Sequence, residues 1–225
     1  MTIPDSPIHA VIFDLDGTLI DTASEIAVAL NRTFGEMKLA PLSKKTVEDL
    51  IGRGVHSMVE RALLKAGTNG IDVDAAVARF EEHYAGTVGT EAELFPGVLE
   101  GLSVLRAAGY RMGVVTNKPR FFTERLLDRL AVKELFATLV AGDDGIRRKP
   151  HGDMLAAACA AMGSSAAATL MIGDSDNDVA AARNAGCPVW CVPYGYNEGR
   201  APETLACDRM VGSVEEAARI LVNAS

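Results

Sequence analysis

The sequence predicts an α/β protein built on a parallel sheet, with a helical segment inserted early in the chain. Short apolar or β-branched runs recur, each followed by a helical pattern, and they hold too few polar positions to be half-exposed strands. One interval, Leu19 to Glu93, breaks that alternation and reads as helices alone. The chain has 225 residues, 48% apolar, 23% charged and 5% aromatic, enough for one substantial core plus a smaller insert and too apolar for disorder.

The run His9 to Phe13 opens the sheet. Thr22-x-x-Glu25 then has the spacing of a capping box, in which a hydroxyl and a carboxylate three residues apart satisfy free amides reciprocally; it starts a helix to Phe34. Ser43 and Asp72 are placed to cap further helices, and Gly52, Gly54, Gly67 and Gly70 punctuate the rest. Phe95-Pro96-Gly97 marks the return to the sheet. The expected domains are therefore a core of residues 1–18 and 94–225 and a helical cap of residues 19–93. Within the core, helix Val98–Ala108 precedes strand Arg111–Val115, helix Arg120–Leu130 precedes strand Thr138–Ala141, and helix Met154–Met162 precedes strand Thr169–Ile172. Helix Asp176–Ala185, strand Pro188–Val192 and helix Val214–Val222 complete the order, with no internal repeat.

A net charge of −8 argues against general attraction to nucleic acid or to an anionic membrane surface, so an anionic substrate needs a local positive field. Met1 to Ala10 contains Pro4, Asp5 and Pro7 and no basic segment followed by an apolar stretch, so no secretory leader is expected and the location is read as cytoplasmic. Met154 to Gly173 is uncharged, but Gly163-Ser164-Ser165 divides it into an Ala-rich helix, a turn and a buried strand rather than a membrane span. Cys159, Cys187, Cys191 and Cys207 form no C-x-x-C pair and the histidines are scattered, which leaves neither a zinc site nor a disulfide framework. No coiled-coil pattern is evident, and a monomer or a homodimer is expected.

In an open parallel sheet, ligands gather beyond the carboxyl ends of the strands. Asp14 ends the first strand here, Thr116-Asn117-Lys118 the second and Gly173-Asp174 the fourth; Asp143-Asp144 follow the third, and Pro193-Tyr194 the fifth. In Asp14-Leu15-Asp16-Gly17-Thr18, one carboxylate can attack phosphorus and the other can protonate the leaving oxygen and later deprotonate water; a turn with solvated acids is the plainer alternative. Gly173-Asp174-Ser175-Asp176-Asn177-Asp178 crowds acids that repel by ~1 kcal/mol per pair at ~4 Å even in bulk water. Magnesium, which takes carboxylate oxygens, waters and a substrate phosphate, relieves that crowding, with Asp14 and Asp174 as the chosen ligands. Ser175 or Asp176 also fits simple helix capping. Thr116 and Asn117 offer donors for phosphoryl oxygens, and Lys149 offers positive charge from a loop held by Pro150.

These motifs, in this order, resemble the haloacid dehalogenase superfamily and, within it, the phosphoglycolate phosphatase-like branch with a helical cap after the first strand of a Rossmann-like sheet. The resemblance rests on Asp14-x-Asp16-Gly17-Thr18, the strand ending in Thr116, Lys149, and Gly173-Asp174-Ser175-x-x-Asp178. It implies that Asp14 is the nucleophile, Asp16 the general acid and base, and Thr116 and Lys149 the phosphoryl-binding pair. It also implies magnesium held by the Asp14 carboxylate, the Asp16 carbonyl and Asp174, with Asp178 supporting a bound water or Lys149. The implied substrate is a small phosphorylated metabolite. Gly195-Tyr196-Asn197 points toward 2-phosphoglycolate, although related pyrophosphatases, sugar phosphatases and N-acetylmuramic acid 6-phosphate phosphatases share much of the pattern. In the cap, Arg53 of Gly52-Arg53-Gly54 is a candidate partner for a substrate carboxylate, or else a solvated arginine between helices. His151-Gly152 follows Lys149-Pro150 where Lys-Pro-x-Pro is commoner, which implies a more flexible loop. A phosphomutase and a non-turning-over phosphoaspartate switch are the alternatives; the dehalogenase branch lacks a carboxylate where Asp16 stands.

Overall fold

Strand β1 (Ala10–Phe13) is shielded from water on both faces, as its unbroken apolar composition requires. The computed structural model describes residues 7–68 and 70–224, so most of the leader reading at Met1–Ala10, and the start of the 1–18 segment, lie outside the described residues. β1 lies inside a six-stranded sheet that also holds β4 (Arg111–Val115), β5 (Thr138–Val140), β6 (Thr169–Gly173), β7 (Val189–Cys191) and β8 (Arg209–Met210). The strand order is β5-β4-β1-β6-β7-β8 and the pairing is parallel throughout. Phe13 stands level with Val114 on one side and Ile172 on the other. The chain first builds outward from β1 to β5 and then crosses to the far side to add β6, β7 and β8. The strand order thus reverses beside β1, which places a ligand crevice at its carboxyl end.

Side-chain alternation divides the core between the two sheet faces. Val11, Phe13, Leu170, Ile172 and Trp190 pack on the face covered by α5 (Val98–Ala107), α6 (Arg120–Arg129) and α9 (Val214–Asn223). Ala10, Ile12, Met171, Val189 and Cys191 face α7 (Asp153–Ala161) and α8 (Asp176–Ala185). The inserted cap consists of α1 (Ala23–Glu36), α2 (Lys44–Glu48), α3 (Val55–Lys65) and α4 (Val73–Thr87), and its buried residues Leu30, Phe34, Val59 and Phe80 continue the first of these clusters. Ser43 and Asp72 cap α2 and α4 through their side chains, as their position predicts. Among the described residues no helix is long and apolar enough to cross a membrane, and Cys159, Cys187, Cys191 and Cys207 are free thiols.

The structure departs from the sequence expectation in three places. The interval after Leu19 is not strandless: β2 (Ile20–Asp21) pairs antiparallel with β3 (Glu93–Leu94), tying together the two crossings between sheet and cap. Both strands are too short to carry an alternating pattern. β8 extends the sheet by two residues and went unread for the same reason. The capping box at the start of α1 does not form, although the helix begins where it predicts. Thr22 turns its hydroxyl to Asp16 at 2.6 Å, and Glu25 reaches instead to the Tyr84 hydroxyl at 2.8 Å and the Gly89 amide at 2.7 Å. The amides of Thr22 and Ala23 are met by the Tyr196 hydroxyl at 3.0 and 3.2 Å.

Gly101 of α5 lets the start of α9 approach closely, since a Cβ there would fall 2.6 Å from the Val214 carbonyl. Such overpacking costs about 1–3 kcal/mol, whereas replacing a helical glycine by alanine gains about 1 kcal/mol at most. Gly101→Ala is therefore expected to lower the midpoint of urea unfolding with an unchanged m-value; an unchanged midpoint would show that the two helices separate freely.

Candidate active site

The turn after β1 aims its two aspartates apart. The Leu15 carbonyl accepts from the amides of Thr18, Leu19 and Ile20 at 3.3, 3.0 and 3.0 Å, and Gly17, at φ +89°, reverses the chain. Asp14 faces the interior, where Oδ1 accepts from the Leu15 amide at 2.7 Å and meets Lys149 Nζ at 2.8 Å. Asp16 faces the cap, accepting from Thr22 Oγ1 at 2.6 Å and from Lys118 Nζ at 2.9 and 3.1 Å.

Beyond Asp14 lies a second layer of buried acid. Lys149 Nζ also meets Asp178 Oδ1 at 2.7 Å, while Asp178 Oδ2 accepts from the Asp174 amide, the Ser175 amide and Ser175 Oγ at 3.2, 3.1 and 2.7 Å. Ser175 and Asp178 thereby form the capping box of α8; Asp176 stands outside it and pairs with Arg200. Asp174 accepts from Thr18 Oγ1 at 2.6 Å and from the Tyr196 amide at 2.7 Å. A Cβ on Gly17 would lie 2.5 Å from Asp174 Oδ2, and one on Gly195 would overlap the same carboxylate, so both glycines give it room.

Asp14, Asp174 and Asp178 are all buried and present oxygens within 4.8 Å of one another. Burial pushes the Asp14 carboxyl up to about 7, with Lys149 opposing and Asp178 reinforcing the shift. Burial also drives Asp174 well above the usual range, assisted by Asp178 and Asp14. Lys149 has its charged form opposed by burial, yet its two carboxylate partners hold its pKa above the ordinary lysine value. Were all three acids ionised, one ammonium would leave an excess of two negative charges in a water-poor site, which is why burial favours the protonated forms of Asp14 and Asp174 in the absence of a cation. An oxygen-seeking divalent cation fits that donor set in charge and in ligand type.

Around this cluster the remaining sequence candidates take distinct places. Asn117 Nδ2 donates to the carbonyls of Gly52 and Lys149 at 3.0 Å each, and its Oδ1 accepts from the Lys149 amide at 3.0 Å. Its side chain thus clips the lysine loop, leaving its backbone to serve as any ligand donor. Thr116 is buried beside it, with Oγ1 accepting from the Lys118 amide at 3.2 Å. Gly152 explains the departure from Lys-Pro-x-Pro: a Cβ there would lie 2.6 Å from the Ala185 amide nitrogen in α8, where a proline ring has no room. Asn184 further ties that loop through the Pro150 carbonyl at 2.9 Å.

Asp14, Asp16, Thr116, Asn117 and Lys118 line a cavity of ≈ 40 Å³ under an apolar wall of Ile26, Ile51, Val55, Met58, Phe80 and Tyr84. Arg53, the cap residue favoured from sequence, is not in that lining. It makes a bidentate pair with Glu198 through Nε at 2.5 Å and a terminal nitrogen at 2.7 Å, and Arg61 joins the same carboxylate at 3.2 Å. Sequence reasoning gave no role to Lys118, Tyr84 or Glu198, and it read Gly195-Tyr196-Asn197 as a pointer to substrate without foreseeing that the Tyr196 amide donates to Asp174. A lysine directly after Thr116-Asn117 at a strand end was the available signal for Lys118. Nothing local distinguishes the other residues, whose contacts span long chain separations.

Comparison with known proteins agrees with this geometry. Residues 11–192 match the haloacid dehalogenase-like hydrolase family. A phosphoglycolate phosphatase of Nitrosospira multiformis is 40% identical over 222 residues, covering 97% of this chain and 98% of the relative. A plasmid phosphoglycolate phosphatase of Cupriavidus necator is 42% identical over 219 residues, with coverages of 97% and 95%. Among solved structures, a predicted phosphoglycolate phosphatase from Haemophilus somnus is 28% identical with a TM-score of 0.88, covering 96% of this chain and 99% of that one. The chain belongs to the haloacid dehalogenase-like hydrolase family.

The raised Asp14 pKa sets a pH dependence. Between its ordinary value of 3.8 and about 7, the folded protein without a cation keeps a proton that the unfolded chain has lost. That contribution to stability is full below 3.8, declines as pH rises and is gone above about 7, where the ionised carboxylate is open to a cation. Saturating magnesium is expected to raise Tm by about 5–10 °C at about pH 8 and by less than about half as much near pH 5.5. Scanning calorimetry with Asp174→Ala as control checks this; equal shifts at both pH values, or shifts that survive the substitution, would contradict the cation site.

Proposed function

We propose that this hydrolase is a magnesium-dependent phosphatase acting on a small phosphate monoester, with 2-phosphoglycolate, cleaved to glycolate and phosphate, as the favoured substrate. The observation that carries the reading is the divergence of Asp14 and Asp16 from one turn into one cavity beside Thr116. Asp14 is set to attack phosphorus, forming an aspartyl phosphate as the bond from phosphorus to the leaving oxygen breaks. Asp16 gives its proton to that oxygen, then takes one from the water that attacks phosphorus and restores the Asp14 carboxylate. Thr116 and the nearby backbone amides supply donors to the phosphoryl oxygens, and Lys149 orients Asp14 from 2.8 Å.

The carboxylates of Asp14 and Asp174 and the Asp16 carbonyl would hold magnesium, which when bound would supply positive charge to the phosphoryl oxygens and favour the ionised form of Asp14. Asp178 acts on this arrangement through Lys149, to which its Oδ1 is paired at 2.7 Å, while its Oδ2 is taken up by the capping box of α8. Residues 19–93 serve as a cap that excludes water over the cavity, swinging on the paired β2 and β3 crossings. The choice of substrate is supported by relatives named phosphoglycolate phosphatase along the chain's length and by the small volume under the cap.

The test is phosphate release, with magnesium and with EDTA, from 2-phosphoglycolate, N-acetylmuramic acid 6-phosphate, other sugar phosphates, pyrophosphate and a nucleotide. A magnesium-dependent preference for 2-phosphoglycolate of at least about tenfold in kcat/KM is expected; preference for another compound would replace the substrate and keep the chemistry. Asp14→Asn is expected to reduce turnover to background with the fold retained, and Asp16→Asn to reduce kcat by about 10²–10⁴-fold. Substantial turnover by Asp14→Asn would remove it as nucleophile.

A further inference from the structure

Lys118 is the one basic residue among the described residues that line the cavity, and its side chain is only 4% exposed. Its ammonium sits 4.8 Å from the centre of the Tyr84 ring and, among the described residues, hydrogen-bonds only to Asp16. An ammonium has three donors, and the two bonds to Asp16 leave one for a ligand. Glu25, the other acid nearby, is already bonded to Tyr84 and Gly89. We propose that Lys118 receives the substrate's carboxylate and, by turning to it, releases Asp16 to protonate the leaving oxygen. The inference rests on the phosphoglycolate reading given above and names the residue that enforces it.

The spacing of the substrate supports the assignment. In phosphoglycolate a single methylene separates the bridging oxygen from the carboxylate carbon. A group bonded to the acid that protonates the bridging oxygen is therefore beside the carboxylate as well. Lys118 lies 2.9 Å from Asp16 Oδ1 and meets that condition. Arg53 does not, because its guanidinium is outside the lining and paired with Glu198. The apolar wall of Ile26, Ile51, Val55 and Met58 strengthens an ion pair formed beneath it. A phosphate ester without the carboxylate leaves Lys118 on Asp16 and the proton donor restrained, so discrimination enters through kcat as well as KM.

The test compares 2-phosphoglycolate with ethyl phosphate, which has the same carbon count and no carboxylate, as a ratio of kcat/KM values on one preparation of enzyme. That ratio does not depend on the folded fraction, and it cancels any effect of the substitution on Asp16 common to both substrates. The wild type is expected to favour phosphoglycolate by at least about 10²-fold, and Lys118→Met to cut that preference by at least about tenfold. A variant in which both rates fall together with the ratio intact would overturn the proposal and leave Lys118 as a positioning residue for Asp16. A wild-type ratio near one would overturn the substrate reading and the inference with it. If Lys118→Met is inactive, calorimetric titration of 2-phosphoglycolate into Asp14→Asn and into Asp14→Asn/Lys118→Met decides. At least about tenfold weaker binding in the double variant is expected, and equal affinities would refute the role.

Discussion

The site is organised by one buried ammonium shared between two carboxylates. Lys149 joins Asp14 to Asp178, and Asp178 in turn holds the turn that carries Asp174. Desolvating such a group is costly, and removing one partner from a buried pair costs about 3–5 kcal/mol because the other charge is stranded. The surrounding backbone is built to prevent that loss. Asn117 fixes the amide and carbonyl of Lys149 from the neighbouring strand end, Gly152 lets the lysine loop lie against α8, and Gly173 gives Asp178 space where a Cβ would collide. With its carboxylates ionised the cluster keeps more negative charge than the one lysine balances, a local electrostatic fault that burial relieves by protonation and that a divalent cation can relieve instead.

The parts of the molecule that follow short-range rules were legible in the sequence. Strand Arg111–Val115 and helix Asp176–Ala185 fall where the apolar pattern puts them, because burial on both sides of a parallel sheet leaves a continuous apolar run. Asp14, Asp16, Thr116, Lys149 and Asp174 could be nominated because each lies at a strand end or in the loop that follows a strand. The failures are physical in origin. Thr22 and Glu25 satisfy a capping rule on paper, but the site and the α4 packing compete for their side chains and prevail. Arg53 looked free because Glu198, its partner, is far away in sequence. Two-residue strands such as β2 and β8 exist by pairing alone and carry no periodic signal of their own.

The two lysines near the reaction centre differ in a useful way. Lys149 is locked by two acids on the core side, whereas Lys118 faces the cap and holds one acid against an aromatic ring. The polar contact around Glu198 is of a looser kind: Arg53 is half exposed, and it and Arg61 from the cap share that carboxylate with Arg200 of the core. The arginines are open to solvent although Glu198 is largely covered, and solvent-screened pairs contribute about 0–1 kcal/mol each. Such pairs add little to the hold between residues 19–93 and the core, whereas Lys149 is fixed at the acid cluster by two carboxylates.

Tyr196 gives the cap its geometric reference. Its amide rests on Asp174 while its hydroxyl meets the amides of Thr22 and Ala23 and the Asp21 carboxylate, at the point where the chain enters α1. A single rigid side chain therefore spans from the acid cluster to the pivot. The start of α1 is thereby registered against the Asp174 carboxylate through a single side chain. A displacement at the far sheet edge does not enter this registration, because the measuring distance is one tyrosine long.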